Sequence, residues 1–206
     1  MNIKIHPDHY FERDYDTKER FISYWHQIDE VISLKPKNIL EIGVGNGFVS
    51  DYLKKRKFSV TSLDIDPRLK PDIAGSVLSL PFSTNSFDVI ACCEVLEHLS
   101  YENFKKALIE IYRVCINNVV LSLPDASRVY SINLQIPKKG AIKKLIPLPE
   151  SLNKVHNFDG QHYWEIGKKE YPLRKIISDA QEVGFIIQKT YRIFEFPYHR
   201  FFVLKK

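Results

Sequence analysis

The first pattern in this sequence that could bind a ligand is an acid followed by three glycines at alternating positions. The segment ILEIGVGNGFVS places Glu41, Gly43, Gly45 and Gly47 between an apolar run and a stretch of helical character. Glycines at the end of a strand leave backbone N–H groups open to a ligand at the start of the next helix. The spacing differs from the G-x-G-x-x-G pattern of dinucleotide-binding enzymes, because Phe48 stands in place of the third glycine.

A second acid follows the next apolar run along the chain. Asp64 ends the segment VTSLD, and Ile65, Asp66 and Pro67 come directly after it. A carboxylate at a strand end, close to a glycine loop, can accept hydrogen bonds from both hydroxyls of a ribose. We predict that role for Asp64, whereas Asp66 precedes a proline and is predicted to be a turn residue.

Two segments place histidines near acidic residues. In ACCEVLEHL, His98 follows Glu94 by about one helical turn, and in HNFDGQHYWEIG, Glu165 follows His162. Histidine titrates near neutral pH, so either side chain could accept a proton from a reacting hydroxyl. We favour His162, oriented by Glu165, over His98, for which a capping or packing role stays open. The gap between His156 and His162 is not a helix-face ligand spacing, so the sequence predicts no metal site.

The elements that would position these residues alternate along the chain. Short apolar runs suited to buried parallel strands are separated by helical stretches, and the predicted strands are 38–42, 58–63, 87–92 and 117–123. The predicted helices are one from about Phe21, then 48–55, 101–114 and about 172–183. Two strands joined by a short turn close the chain and must run antiparallel. We therefore predict an α/β fold with a doubly wound, Rossmann-like, mostly parallel sheet and a reversed C-terminal hairpin.

The length and the patterning predict a single domain of residues 1–206. Its first part, 1–36, is predicted to be a helical segment in which Asp16 and Glu19 resemble a capping box. The stretch from Pro124 to Lys169 fits no regular element and holds several prolines and aromatic residues. A loop of that length is usually functional, so we expect it to shape a binding pocket before the last helix.

Three blocks of the sequence, taken in order, resemble the class I S-adenosylmethionine-dependent methyltransferases, in particular a small-molecule branch similar to the quinone methyltransferases. The blocks are ILEIGVGNG, VTSLDID and LPFSTNSFDVIACCEVLEHL, and the resemblance extends over about Asn38 to Pro124 and to the reversed closing hairpin. It implies S-adenosyl-L-methionine as the cofactor and one methyltransferase domain. It also implies that the 124–169 insertion shapes the pocket of the methyl acceptor.

The resemblance assigns further cofactor contacts by position. Glu41 would face the methionine end together with Gly43, Gly45 and Gly47, and Glu94 would border the methionine moiety. Asp64 and Ile65 would bind the ribose side. Much of the family carries an acid before LPF that accepts from the adenine amino group. This chain has Ser76 and Val77 there, so the adenine contacts rest on the Ser76 hydroxyl and the adjoining backbone.

The expected acceptor is an oxygen or a nitrogen of a small molecule, and an anionic, lipid-linked or sugar-linked acceptor stays open. Nucleic acid is disfavoured, because the net charge of +5 is modest and the acceptor-binding blocks of DNA methyltransferases are absent. A nicotinamide-dependent oxidoreductase and a non-catalytic S-adenosylmethionine-binding module are the alternatives. Three cysteines, no apolar run long enough to cross a bilayer and no signal-peptide pattern predict a cytoplasmic protein with reduced cysteines. The oligomeric state is left open.

Overall fold

The computed structural model describes residues 6–138 and 140–206. The strands of this part of the chain are β1 (Asn38–Ile42), β2 (Ser59–Asp64), β3 (Ile73–Ala74), β4 (Phe87–Cys93), β5 (Cys115–Pro124), β6 (Val129–Ile136), β7 (Gly140–Pro147), β8 (Ile186–Arg192) and β9 (His199–Lys205). The α-helices are α1 (Lys18–Ser33), α2 (Phe48–Lys55), α3 (Tyr101–Val114) and α4 (Leu173–Val183).

Seven of these strands form one sheet in the order β3-β2-β1-β4-β5-β9-β8. Strands β1 to β5 pair in parallel, and β9 runs antiparallel to both β5 and β8. A β-strand, a short turn and a second strand can only return antiparallel, which is why the C-terminal hairpin reverses the edge of the sheet. The predicted fold, a mostly parallel doubly wound sheet with a reversed hairpin, is confirmed.

The two faces of the sheet carry separate apolar cores. In β1, Leu40 and Ile42 belong to the core under α3 and α4, whereas Ile39 points to the opposite core under α1 and α2. All three side chains are almost fully buried. Because successive strand residues point to opposite faces, a strand covered on both sides is apolar on both faces along most of its length. Continuous apolar runs in the sequence therefore indicated the central strands.

Helix α1 differs from its prediction at the cap and at the buried face. Thr17, not Asp16, is the N-cap, since its hydroxyl accepts a hydrogen bond from the backbone N–H of Arg20 at 3.2 Å. Asp16 instead accepts a bond from the Asn46 side chain at 2.9 Å. Of the apolar positions that indicate the helix, Phe21 and Trp25 stay exposed and Ile28 and Ile32 are half-buried against the core. The buried positions are Ser23, Tyr24, Gln27, Glu30 and Val31.

The prediction that residues 124–169 contain no regular element is wrong. Strands β6 and β7 form a separate two-stranded antiparallel hairpin, and a short 3-10 turn follows at Glu150–Leu152. The paired segments are short, and they hold β-branched residues on both sides of the turn around Lys138 and Gly140. That pattern is typical of a hairpin, but the lysines of the second strand obscured its alternation.

Among the described residues, no helix combines the length and the apolar character that crossing a membrane requires. Of the cysteines, Cys92 and Cys115 are buried and Cys93 is half-buried, and all three are free thiols.

Candidate active site

A cavity of about 590 Å³ lies at the carboxyl ends of β1, β2 and β4. In an open parallel sheet this edge is where ligands bind, because the loops that leave the strands surround a crevice there. Most of the predicted site residues line the cavity, namely Glu41, Gly43, Gly45, Asp64, Ile65, Ser76, Val77, Glu94, His98 and His162. Two predicted residues lie behind its wall: Gly47 is the N-cap of α2, and Glu165 contacts the side chain of His162.

The glycine loop is held against the second strand of the motif. The backbone N–H of Gly43 donates to the carbonyl oxygen of Leu63 at 2.9 Å, and that of Val44 donates to Oδ2 of Asp64 at 2.8 Å. Gly43 and Gly45 have φ angles of +85° and +55°, which side chains with a Cβ rarely adopt. A Cβ on Gly43 would also lie 2.3 Å from a methyl carbon of Val95. These glycines are therefore required by the backbone path of the loop.

Asp64 keeps one face of its carboxylate toward the cavity. Oδ2 accepts from Val44 and Oδ1 accepts from the backbone N–H of Asp66 at 2.8 Å, which leaves further lone pairs on both oxygens. Burial raises the pKa of Asp64, and the two backbone hydrogen bonds oppose that rise. Asp66 behaves as a turn residue, since it caps the 3-10 turn Pro67–Leu69 and pairs with Arg68 at 2.7 Å.

The adenine side of the predicted site consists of Ser76 and Val77. Val77 is buried and belongs to the core under α3, and Ser76 lies at the cavity wall. The Ser76 hydroxyl accepts a hydrogen bond from the backbone N–H of Leu78 at 3.2 Å, and it can still donate. A hydroxyl in this position can contact a heterocycle nitrogen, whereas the charged acceptor that the family pattern carries is missing.

Glu41 carries a carboxylate oxygen without a hydrogen-bond partner among the described residues. Oε2 of Glu41 is buried at the cavity, next to the glycine loop. Burial raises the pKa of Glu41 to about 8. A buried carboxylate is costly unless a cation or a donor accompanies it, so this oxygen is suited to a positively charged ligand group.

The N-terminal segment covers this end of the cavity, which sequence reasoning missed. Tyr10, Tyr15, Arg20 and Tyr24 line the cavity, and the guanidinium carbon of Arg20 lies 4.3 Å from the centre of the Tyr15 ring. Burial raises the pKa of Tyr15. The available signal was a polar stripe on an otherwise amphipathic helix, formed by Ser23, Gln27 and Glu30. A polar stripe of this kind indicates a buried helix face that contacts polar groups or lines a polar cavity.

Glu94 follows β4 and connects the cavity to the C-terminal hairpin. Its φ angle is +54°, and its Oε1 accepts from the hydroxyl of Ser122 at 2.8 Å. Oε2 lies 3.4 Å from Nε2 of His199, and Nδ1 of His199 lies 2.8 Å from the Ser23 hydroxyl. Burial raises the pKa of Glu94 to about 8 and lowers that of His199 to about 3. His199 begins β9, so no local pattern placed it beside Glu94.

His98 and His162 meet at the far end of the cavity, with ring centres 5.2 Å apart. Nδ1 of His162 lies 3.2 Å from Oε1 of Glu165, which is the orienting contact that the sequence predicted. The Tyr198 hydroxyl also contacts Glu165 and lies 3.2 Å from the same His162 nitrogen. Burial works against ionisation of Glu165, but hydrogen bonds from His162, Tyr198 and Lys168 lower its pKa to about 2.

The loop that carries His162 is anchored by Trp164. This side chain is fully buried between α3 and the loop, and its Nε1 donates to the carbonyl oxygen of Leu99 at 3.1 Å. The backbone N–H of Tyr163 donates to the carbonyl oxygen of Glu97 at 2.9 Å. The aromatic residues of the 124–169 stretch were expected to shape a pocket, but Trp164 is a core residue that holds the loop carrying His162 and Glu165.

The comparisons with known proteins agree with this geometry. Residues 40–123 match the family described as "Methyltransferase domain". The structure superimposes on that of an S-adenosylmethionine-dependent methyltransferase from Clostridium acetobutylicum with a TM-score of 0.63 and 10% identity, covering 97% of this chain and 99% of the other. Residues 40–123 are thus similar to a methyltransferase domain, and the fold of the chain is that of a solved S-adenosylmethionine-dependent methyltransferase.

Two sequence relatives each match part of this chain. A protein from Methanocaldococcus jannaschii is 36% identical over 88 residues, which are 39% of this chain and 38% of the relative. A ubiquinone biosynthesis O-methyltransferase from Coxiella burnetii is 31% identical over 87 residues, which are 35% of this chain and 37% of the relative. The similarity thus spans less than half the length of these relatives.

Proposed function

We propose that this protein binds S-adenosylmethionine and transfers its methyl group to an oxygen of a small molecule. The observation that carries the proposal is one cavity with two chemically different ends. The end at β1 and β2 presents the glycine loop, Glu41 and Asp64, and the other end presents His98 and His162. A methyl donor and an acceptor must meet in one enclosed space, and the two ends of this cavity carry different groups suited to the donor and to the acceptor.

The residues at the first end fit the cofactor. The unpartnered oxygen of Glu41 is suited to the α-ammonium group, and the cavity-facing lone pairs of Asp64 are suited to the ribose hydroxyls. Arg20 is the only lysine or arginine among the described residues that line the cavity. We therefore assign it to the methionine carboxylate. Ser76 and Val77 border the space left for adenine, with Ile65 beside the ribose position.

At the acceptor end, aromatic side chains line the cavity, where they would orient the acceptor and exclude water. Tyr163, Phe196 and Tyr198 line this end, so a planar apolar acceptor with a polar group fits it. We propose that residues 124–169 shape this end, because the loop at 161–163 from that insertion reaches the cavity. We propose His162, positioned by Glu165, as the group that handles the acceptor's proton, with His98 beside it.

S-Adenosylmethionine, when bound, supplies a methyl carbon on a sulfonium, and the acceptor oxygen bonds to that carbon while the C–S bond breaks and sulfur keeps the electron pair. A hydroxyl must lose its proton during this displacement, which gives the histidine pair its function. The oxygen assignment is supported by the O-methyltransferase named among the relatives, and a nitrogen acceptor is an outcome that the test below distinguishes.

Calorimetric titration with S-adenosylhomocysteine, S-adenosylmethionine and NAD tests the cofactor. We expect both sulfur compounds to bind at one site per chain and NAD to give no heat. Binding of NAD alone would favour the oxidoreductase instead. Release of S-adenosylhomocysteine in a panel of phenols, carboxylic acids and amines then identifies the acceptor class. Tight cofactor binding without turnover of any acceptor in the panel would favour the non-catalytic binding module.

A further inference from the structure

A second cavity, of about 360 Å³, lies beside the β6–β7 hairpin, and no described residue lines both this cavity and the one at the strand ends. Its wall is formed by residues from the hairpin, the start of α4 and strands β8 and β9. Two cations, Arg192 and Arg200, line it. An apolar surface that carries two guanidinium groups is suited to an amphiphilic anion. The apolar part of the wall consists of Val129, Leu145, Pro147, Leu148, Pro172 and Leu173.

The two arginines stand directly opposite each other in the sheet. The register of β8 and β9 pairs Arg192 with Arg200. Like charges at directly opposite positions of two strands are destabilising. The side chains are also largely removed from water, since that of Arg192 is 7% exposed and that of Arg200 is 15% exposed. Burial lowers the pKa of Arg192, Asp125 opposes that decrease, and the charge of Arg200 adds to it. The fold therefore holds two cations close together with little solvent to screen them.

Asp125 compensates only one of these two charges. Its side chain is fully buried, and its Oδ2 accepts from Nε of Arg200 at 2.6 Å and lies 3.7 Å from Nε of Arg192. Glu150, which lines the cavity, is exposed and pairs with Arg174 at 2.7 Å. No other Asp or Glu among the described residues lines the cavity. One positive charge of the arginine pair thus remains for an anionic ligand.

Arg200 also has hydrogen-bond donors that the described chain does not use. A guanidinium group carries five N–H donors. Arg192 uses all three of its nitrogens to hold the backbone, since they donate to carbonyl oxygens of the loop at 125–127 and of Pro197. Arg200 donates from Nε to the buried acid and from Nη1 to Thr190 at 3.2 Å, whereas its Nη2 donates to no described residue. Unused donors on a planar guanidinium favour a carboxylate or a phosphate, which can accept two parallel bonds.

The segment that forms one side of the cavity has a net charge equal to that of the whole chain. Residues 126–149 contain five basic residues and no Asp or Glu, and the net charge of the chain is +5. A field of one sign attracts anions toward this face. The start of α4 contributes in the same sense, because Pro172 and Leu173 line the cavity and the N-terminal end of a helix is positive. The basic residues are Arg128, Lys138, Lys139, Lys143 and Lys144.

We propose that this cavity binds a small amphiphilic anion, with its carboxylate or phosphate group on Arg200 and Arg192 and its apolar part against the hairpin and α4. A volume of about 360 Å³ lies within the range of small-molecule pockets. The anionic group neutralises the arginine pair, and the apolar part removes Leu145, Leu148 and Leu173 from water. The proposed methyl transfer uses no residue of this cavity, so the site is a binding function in addition to it.

Calorimetric titration of the full chain with octanoate and with octyl phosphate, each below its critical micelle concentration, tests the site. We expect at least one of them to bind at one equivalent per chain, and the one that binds identifies the anionic group. Octanol has the same chain without a charge and should bind at least about tenfold more weakly, because it forms no hydrogen bond between charged groups. Acetate and inorganic phosphate lack the apolar chain and should also bind more weakly than their octyl counterparts. Failure of both amphiphiles to bind, or equal affinity for octanol or for the short anions, overturns the proposal.

Two variants and a control locate the ligand. Arg200→Gln should lower the affinity for the amphiphile at least about tenfold. Because this change also removes a partner of Asp125, Leu145→Glu provides a second test: it places an acid at the cavity wall on a strand outside the main sheet, and it should weaken binding as well. The matched control is Arg128→Gln, since Arg128 is an exposed arginine of the same basic segment and does not line the cavity. Cooperative melting shows which variants are folded. Unchanged affinity in a folded Arg200→Gln or Leu145→Glu protein, or an equal loss in Arg128→Gln, contradicts the proposal.

S-Adenosylhomocysteine separates this site from the first cavity and from the proposed function. A saturating concentration of it should leave the affinity for the amphiphile unchanged, because the two cavities share no described lining residue. Loss of amphiphile binding in its presence would place the amphiphile in the first cavity, which overturns this inference and leaves the methyltransferase proposal standing. Binding of the amphiphile at Arg200 in a protein that does not bind S-adenosylhomocysteine would support the site and overturn the proposed function.

Discussion

The carboxylate of Asp64 accepts a hydrogen bond from the backbone N–H of Val44 at 2.8 Å. This bond ties the end of β2 to the loop that follows β1, so Asp64, which we propose as the ribose-binding acid, and the glycine loop form one unit. Asp64 therefore holds the loop with one oxygen and lines the cavity, where its remaining lone pairs could accept from a ligand.

Replacing Asp64 should weaken cofactor binding more than replacing its neighbour Asp66. Hydrogen bonds to a charged acceptor contribute about 1.5–3 kcal/mol each, so Asp64→Ala should lower the affinity for S-adenosylhomocysteine at least about tenfold. Asp64→Asn keeps an acceptor for Val44 and isolates the loss of charge. Asp66→Ala is the matched control, because Asp66 caps a turn and pairs with Arg68. Calorimetry that ranks Asp66→Ala as the more damaging change would assign the ribose to the other acid.

Replacing Glu41 should change how the stability of the ligand-free protein depends on pH. Burial raises the pKa of Glu41 from 4.5 to about 8 in the folded chain, so its contribution to stability is present below about pH 4.5 and is lost as the pH rises through about 8. Between about pH 4.5 and 8, the free energy of unfolding of the wild type should fall by up to about 1.4 kcal/mol per pH unit, and Glu41→Gln should not show this fall. Lys54 opposes the shift, and Asp51 and Asp64 add to it.

Denaturant unfolding at several pH values measures this difference, with Glu102→Gln at the exposed start of α3 as the control. A cationic ligand group beside Glu41 should also release a proton on binding near neutral pH, which calorimetry in buffers of different ionisation enthalpy detects. Equal pH dependence in wild type and Glu41→Gln would show that Glu41 ionises normally in the folded protein.

Arg20 should be required for tight binding of the cofactor. Its guanidinium lies over the Tyr15 ring and lines the cavity, where it can pair with a carboxylate. Arg20→Ala should lower the affinity for S-adenosylhomocysteine at least about tenfold, since a hydrogen bond to a charged group is lost. Arg20→Lys should recover part of it. Arg13→Ala removes an exposed arginine of the same segment and should leave affinity unchanged; equal losses in both variants would indicate a general charge effect.

Removing the anchor of the His162 loop should cost stability and disturb the site together. Trp164 is fully buried and packs on Tyr101 and Phe104, so Trp164→Ala should lower the free energy of unfolding by about 3–5 kcal/mol. Trp164→Phe keeps most of the packing but loses the hydrogen bond to Leu99, and it should cost less. Chemical denaturation measures both changes. A loss below about 1 kcal/mol in Trp164→Ala would mean that the loop does not depend on this anchor.

Hydrogen exchange should divide the 124–169 insertion into two parts. The loop at 161–163 lines the cavity and should gain protection with S-adenosylhomocysteine, as should the N-terminal residues Tyr10 and Tyr15. The hairpin β6–β7 forms its own two-stranded sheet, so its protection should not change. Protection gained equally across the hairpin and the loop would instead show that the insertion closes as one body.

The sequence by itself predicted six of the seven strands of the main sheet, including the reversed hairpin, and the residues that we propose for the cofactor half of the site. Apolar runs at β1, β2, β4 and β5 indicate buried parallel strands because both faces are covered, and Glu41, the glycines and Asp64 lie close to strand ends, where local order fixes their position. Such features depend on residues near each other in the chain. The same reasoning placed Asp66 correctly in a turn.

The tertiary structure alone decided which side chains from distant segments lie opposite the glycine loop, Glu41, Asp64 and Glu94. Arg20 reaches the cavity because α1 packs a polar stripe inward, and His199 reaches Glu94 because β9 inserts next to β5. Glu97, His98 and His162 meet because a loop far along the chain bonds to the turn after β4. Contacts between segments so distant in sequence follow from packing and strand order, which no local spacing encodes.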